Sequence, residues 1–272
     1  VIEFRGTAKT WSDGTVGLEP LDLTVPAAST TVLVGSSGSG KTTLLRTVNR
    51  MVDPTAGAVL VDGRDVATVD PVALRRSIGY VLQSGGLLPH RSVLDNVARV
   101  PALRGRSRNE ARERARATLD LVGLDGALVD RYPDGLSGGQ QQRVGVARAL
   151  VGTPRVLLMD EPFGAVDPVV RSELQDELRR IRAELGTTIL FVTHDMDEAL
   201  LLGDEIVVMR PGGVVAQRGT PEVLLSAPAD DFVARFIGSG NAGRALALRE
   251  RDGVEYVEDR GGRIVGRLTA SA

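Results

Sequence analysis

Residues 35 to 42 read Gly35-Ser36-Ser37-Gly38-Ser39-Gly40-Lys41-Thr42, which matches the pattern G-x-x-x-x-G-K-[ST]. The residue types suit one task. Glycines let backbone N–H groups converge on phosphate oxygens with no side chain in the way. Lys41 is placed to reach the β- and γ-phosphates, and the Thr42 hydroxyl to hold Mg²⁺. A helix beginning near Lys41 aims its positive end at the same anion. The competing reading is a flexible Ser/Gly turn. It is the weaker one, because an apolar run precedes the loop and a helical pattern follows it. The expected ligand is ATP with Mg²⁺, met by Gly35, Ser36, Ser37, Gly38, Ser39, Gly40, Lys41, Thr42 and Thr43.

A second group of polar residues sits at the ends of apolar runs. Val156-Leu157-Leu158-Met159 ends in Asp160 and Glu161. On a parallel strand that end opens onto the ligand crevice. Asp160 is placed to bind Mg²⁺, directly or through water, and Glu161 to polarise an attacking water as general base. A solvated acidic turn is the bland alternative, weakened by the phosphate loop. His194, one of two histidines, follows the run Thr188 to Val192. It could hydrogen-bond a γ-phosphate or that water, although a lone histidine is more often structural. Gln83 follows Ile78 to Leu82 and could ligate Mg²⁺ or orient water; alone it carries almost no signal.

These residues need a frame. Continuous apolar runs at Thr31–Val34, Val156–Met159, Thr188–Val192 and Ile206–Met209 read as strands buried on both faces. Leu44–Met51 and Val170–Leu185 read as helices, the second a crossover between the strands at 156 and 188. The pattern predicts an α/β fold with a mostly parallel sheet. The first thirty residues and Ala58–Val66 alternate apolar and polar positions, which predicts antiparallel strands at one edge. From about residue 88 to 150 helical patterns dominate, so a helical subdomain inserted into the core is expected. Ser239 to Gly243 reads as a linker, and Val254–Leu268, around Arg260-Gly261-Gly262, as a hairpin. The expected division is therefore 1–238 and 239–272.

Composition narrows the function. Lys plus Arg number 33 and Asp plus Glu 35 in 272 residues, a formal charge of −2, so nucleic acid is not an expected partner. Cysteine is absent, which excludes disulfides and thiolate chemistry. No run approaches the ~18 apolar residues of a membrane span, and the first residues do not read as a signal peptide. The expectation is a cytoplasmic protein whose membrane role goes through a partner.

At Leu136-Ser137-Gly138-Gly139-Gln140 the sequence resembles the signature motif of ABC transporter ATPases. The other marks fall in that family's order: phosphate loop, Gln83, signature, Val156–Glu161, Gly164-Ala165-Val166-Asp167, His194. The resemblance runs from Ile2 to about Gly238. It implies a P-loop (RecA-like) core and ATP hydrolysis. Ser137, Gly138, Gly139 and Gln140 then meet the ATP of a second copy in a head-to-tail homodimer, and Asp167 bridges the two sites, joining Glu161, His194 and Gln83 as catalytic residues. Trp11 resembles the aromatic that stacks on adenine; its alternative is an ordinary core tryptophan. The loop at 164–167 departs from the usual S-A-L-D at Gly164 and Val166. Integral membrane permease subunits are the implied partners, with an extracytoplasmic solute-binding protein reached indirectly, and the chain would sit on the cytoplasmic face of the cell membrane.

Val48-Asn49-Arg50-Met51-Val52-Asp53-Pro54-Thr55-Ala56-Gly57 and Gln83 to His90 look like the corresponding stretches of glycine betaine, choline, carnitine and proline importers, with departures at Ser84, Gly85 and Leu88. Polar amino acids are the competing cargo. A soluble ABC ATPase acting on nucleic acid is a rival class, prompted by the arginines at 99, 104, 106, 108, 112, 114 and 116. A solvated helical face explains them more simply. A metabolite kinase lacks the signature motif, and a non-hydrolysing module would not need Lys41, Asp160 and Glu161 together.

Overall fold

The computed structural model describes residues 2–83, 86–164, 166–238, 246–251, 254–259 and 264–267. In chain order the strands and helices are β1 (Ile2–Thr10), β2 (Val16–Val25), β3 (Thr30–Gly35), α1 (Lys41–Val48), β4 (Ala56–Val61), β5 (Arg64–Asp65), α2 (Pro71–Ser77) and β6 (Ile78–Val81). Then come α3 (Val93–Leu103), α4 (Arg108–Leu121), α5 (Gly138–Leu150), β7 (Val156–Asp160), α6 (Pro168–Leu185), β8 (Thr188–Thr193) and α7 (Met196–Leu202). The remainder are β9 (Glu205–Arg210), β10 (Val214–Gly219), α8 (Pro221–Ser226), α9 (Asp231–Phe236), β11 (Leu246–Arg251), β12 (Val254–Asp259) and β13 (Ile264–Arg267).

The central sheet runs β10-β9-β3-β8-β7-β6. Its five inner-to-edge strands β9, β3, β8, β7 and β6 are parallel, and only β10 is antiparallel. The apolar runs are continuous because both faces are covered. Alternate residues divide cleanly between two cores. Val32, Val34, Leu157, Met159, Ile189, Phe191, Ile206 and Val208 pack on the side of α5, α6 and α7. Leu33, Val156, Leu158, Leu190, Val192, Val207 and Met209 pack on the other side, with Leu44, Leu45 and Val48 of α1.

The expected antiparallel strands are present. They form a separate sheet, β2-β1-β4-β5. Leu21, Leu23 and Val25 are buried and alternate with exposed Asp22 and Thr24, so this sheet has one apolar face. That face, with Ile2, Phe4 and Val59, closes over α1 in the second core. Alternation fixed the face, whereas the partner was set by packing. Helix α1 starts at Lys41, where the phosphate-loop pattern expects it, and ends at Val48, short of the expected Met51. Arg50 turns left-handed at φ 54°, and its guanidinium is held by Asp53 and the Ala67 and Val69 carbonyls, which ends the helix.

Between β6 and β7 lie α3, α4 and α5 with two short 3₁₀ turns and, among the described residues, no strand. Buried Val93, Leu94, Val97, Ala111, Ala115, Leu119, Val144 and Ala147 join these helices to the first core. The last three strands form their own antiparallel sheet, β11-β12-β13. The expected linker at 239–243 and turn at 260–262 lie outside the described residues.

Candidate functional site: a phosphate loop beside a held carboxylate

Strand β3 ends at Gly35, and the loop to α1 closes on itself through Ser39 N–H donating to the Ser36 carbonyl at 3.2 Å. Gly40 is left-handed at φ 80°, and a Cβ there would lie 2.5 Å from the Gly17 carbonyl oxygen, so no side chain fits. Gly40 caps α1 without a side-chain hydrogen bond. The other eight described α-helices all have a Ser, Thr or Asp side chain bonded to a first-turn amide. The first amides of α1 therefore point into the loop without an internal acceptor, the arrangement that draws an anion.

Lys41 is 6% exposed. Its Nζ donates to the Gly35 carbonyl at 2.7 Å, the Ser36 carbonyl at 2.9 Å and Ser39 Oγ at 3.2 Å. Burial pushes its pKa down, and the nearby Glu161 and Asp160 charges oppose that shift. The ammonium is thus held at the loop, next to two carboxylates and under a desolvation cost that an anion would relieve.

The Thr42 hydroxyl donates to Asp160 Oδ1 at 2.8 Å. A hydroxyl and a buried carboxylate are hard oxygen donors, and their adjacency fits Mg²⁺ held with the phosphates of a nucleotide. Glu161 breaks from β7 with φ 46°, a left-handed conformation rare for a residue with a Cβ. Its N–H still donates to the Val192 carbonyl at 2.9 Å, so the backbone stays tied to β8 while the side chain swings away from Asp160's side of the sheet. There Gln83 Nε2 donates to Glu161 Oε2 at 3.1 Å, and His194 Nδ1 lies 3.1 Å from the same oxygen, a hydrogen bond in the tautomer protonated at Nδ1. Two side chains from different strand ends hold one oxygen, which leaves Oε1 to accept a proton. Gln83 is brought to Glu161 rather than to the Thr42–Asp160 pair.

Trp11 is 40% exposed, which removes it from the core. The Lys9 ammonium sits 5.0 Å from its ring centroid. A Cβ on Gly17 would meet Trp11 Nε1, and the Gly17 carbonyl abuts Gly40, so the indole stands beside the phosphate loop.

Ser137, Gly138, Gly139 and Gln140 lie elsewhere. Ser137 caps α5, with its Oγ accepting from Gln140 N at 3.3 Å and Gln140 Oε1 accepting from Ser137 N at 3.0 Å. Ser137 and Gly138 are exposed at this helix tip, and Gly139 is buried. A Cβ on Gly139 would come within 2.6 Å of Val170 Cγ1, so this glycine also serves the contact of α5 with α6. Asp167 is exposed and caps α6, its Oδ1 accepting from Val169 N at 3.1 Å and Val170 N at 3.2 Å. Among the described residues no hydrogen bond joins 137–140 to 35–43.

Arg46, Tyr80, Glu198 and Arg171, all neighbours of the site, were not anticipated from sequence. Arg46 and Tyr80 both bond to Asp160. Thr193 Oγ1 donates to buried Glu198 at 2.6 Å behind His194, and Arg171 bonds Asp195 there at 3.5 Å. Arg46 was findable, because it lies four residues after Thr42 on the same helix face. Tyr80 and Glu198 gave no such signal, since strand pairing and a loop turn bring them in.

A family model described as ABC transporter matches residues 18–164. The chain is 48% identical over 250 residues to the glycine betaine uptake system ATP-binding protein YehX of Escherichia coli strain K12, covering 92% of this chain and 80% of that one. It is 46% identical over 238 residues to the carnitine transport ATP-binding protein OpuCA of Listeria monocytogenes, covering 88% of this chain. It is 45% identical to the choline transport ATP-binding protein OpuBA of Bacillus subtilis strain 168. The match spans 60% of the Listeria protein's length and 62% of the Bacillus protein's. Among solved structures, the ATP-binding cassette MJ0796, a dimer bound to ADP and Pi, superposes with TM-score 0.75 at 31% identity, over 81% of this chain and 99% of that one.

Proposed function

This chain belongs to the ABC transporter family, and on that basis we propose that it is the ATP-hydrolysing subunit of an importer for compatible solutes of the glycine betaine, choline, carnitine and proline class. The observation that carries the chemistry is the Glu161 carboxylate held by Gln83 and His194 next to the phosphate loop. The loop amides, the N-terminus of α1 and Lys41 bind the phosphates, and Trp11 takes the adenine. Thr42 and Asp160 would hold Mg²⁺, which would supply charge neutralisation at the phosphoryl oxygens. Glu161 accepts the proton of the attacking water through Oε1, while Gln83 and His194 keep the carboxylate aimed at it.

The exposed tip at Ser137 and Gly138 has no partner within its own chain's loop. A second copy, turned head to tail, supplies that tip to the nucleotide, with Asp167 at the junction. The helices between β6 and β7 carry the resulting motion to membrane-spanning permease subunits, which receive solute from an extracytoplasmic binding protein. The subunit works at the cytoplasmic face of the membrane. The similarity to ATP-binding proteins named for glycine betaine uptake and for carnitine and choline transport supports this choice of solute.

Glu161→Gln tests the assignment. It keeps the hydrogen-bonding shape but removes the base. ATP affinity should stay near that of the unaltered chain, turnover should fall by about 10²-fold or more, and size-exclusion chromatography with Mg-ATP should show a dimer. Normal turnover in this variant would contradict the role of Glu161. Uptake of labelled glycine betaine by cells carrying the variant should be lost. Retained uptake, with loss of a polar amino acid's uptake instead, would reassign the solute.

A further inference from the structure

Both carboxylate oxygens of Asp160 are engaged, and by different elements. Oδ1 accepts the Thr42 hydroxyl. Oδ2 accepts the Tyr80 hydroxyl at 3.3 Å and Arg46 Nη2 at 3.2 Å. Arg46 Nε also donates to the Tyr80 oxygen at 3.3 Å, so Arg46, Tyr80 and Asp160 close a ring of contacts.

The elements dictate this meeting. Thr42 and Arg46 stand one turn apart on α1, on one face of the helix. Tyr80 is the register partner of Leu158 in the parallel pair β6–β7. Side chains alternate along a strand, so Tyr80, Leu158 and Asp160 project to the same side of the sheet. That side carries α1: Tyr80 packs in the core that holds Leu158, Leu44 and Leu45. Strand pairing thus brings the phenol to the carboxylate, and the helix brings the guanidinium.

A carboxylate held at one oxygen alone turns easily about its last torsion, which is broad and roughly two-fold. We propose that Arg46 and Tyr80 are positioning residues: by fixing Oδ2 of Asp160 they present Oδ1 to Thr42 and so set the geometry in which this pair takes a divalent cation. The inference rests on the reading that Thr42 and Asp160 hold Mg²⁺. Arg46 brings a second, opposing effect, since its charge repels a cation nearby. Its side chain is 40% exposed, so solvent screens that field. The orienting bonds therefore prevail, and loss of either residue weakens metal binding.

The test uses the full chain with a non-hydrolysable ATP analogue and Mn²⁺ as the probe, followed by electron paramagnetic resonance. Tyr80→Phe and Arg46→Met should each weaken Mn²⁺ binding by about tenfold, the size of one charge-assisted hydrogen bond. Arg46→Lys, which keeps the charge but not the paired donors, should recover only part of the loss. Affinity for the analogue without metal should stay at the value of the unaltered chain. Mn²⁺ affinity unchanged in both Tyr80→Phe and Arg46→Met overturns the proposal. So does a loss matched by an equal loss of metal-free nucleotide binding, which would mark a general packing effect. Thr42→Ala separates the two levels. If it weakens Mn²⁺ binding and the other variants do not, only the positioning role fails; if it has no effect, the metal site itself is misassigned.

Discussion

Glu198 lies behind His194 at 5% exposure, and burial is the main reason its carboxyl is pushed above the ordinary 4.5. The Thr193 hydroxyl pulls it down, Asp195 pushes it up, and Arg171 and His194 pull it down. With a folded pKa above the unfolded one, the folded chain binds more protons between the two values. The stabilisation is therefore complete below the unfolded pKa and is lost as pH rises through the folded one. Glu198→Gln retains an acceptor for Thr193 and removes the titration. Thermal midpoints measured from pH 4.5 upward should fall less steeply in this variant than in the unaltered chain; parallel curves would mean that Glu198 does not titrate in this window. Lys41 follows a related logic. Its buried ammonium is desolvated against loop carbonyls, so Lys41→Ala should leave the ligand-free thermal midpoint nearly unchanged while weakening ATP binding by at least about tenfold in equilibrium titration.

At the scale of elements, two expected functional residues also have a structural task, Asp167 as a helix cap and Gly139 at a helix contact. Asp167 accepts two first-turn amides of α6. Asp167→Ala should cost about 1 kcal/mol of stability, whereas Asp167→Asn keeps most of the cap. If Asp167 also bridges two subunits, Asp167→Asn should lose ATPase activity with its unfolding curve intact; activity equal to the unaltered chain would leave capping as its whole role. Gly139 shows the same double use. Its place against Val170 means that Gly139→Ala must part α5 from α6, at about 1–3 kcal/mol. Denaturant unfolding measures that cost without reference to any nucleotide.

For the molecule as a whole, the residues assigned to the proposed function stand in two places. The loop, Lys41, Thr42, Asp160, Glu161, Gln83 and His194 converge at the carboxyl ends of parallel strands, as open α/β sheets place their ligands. Ser137 stands on α5, which packs into the first core with α3, α4 and α6. Ser137→Arg, at an exposed tip, should leave ATP binding by one chain intact and abolish the hydrolysis and dimerisation that need two. Hydrolysis undiminished in light of a monomeric elution profile would show that one chain suffices.

The residues at the loop and at the ends of β6, β7 and β8 could be read from the chain because chemistry there depends on local spacing: glycines next to a lysine and threonine, and polar residues closing apolar runs. The parallel sheet was legible for the same reason, since burial on both faces makes the middle of each strand a continuous apolar run. Contacts between distant segments were not. The alternation of β1 and β2 identifies an apolar face but not α1 as what covers it, and the early end of α1 depends on carbonyls of residues 67 and 69 that grip Arg50. Tyr80 and Asp160 are eighty residues apart in sequence, and only the register of β6 against β7 places them on one side of the sheet. Sequence by itself determined which groups could act on a phosphate. Tertiary structure decided which of them meet at one oxygen, because hydrogen-bond register and core packing, not spacing along the chain, bring their strands and helices together.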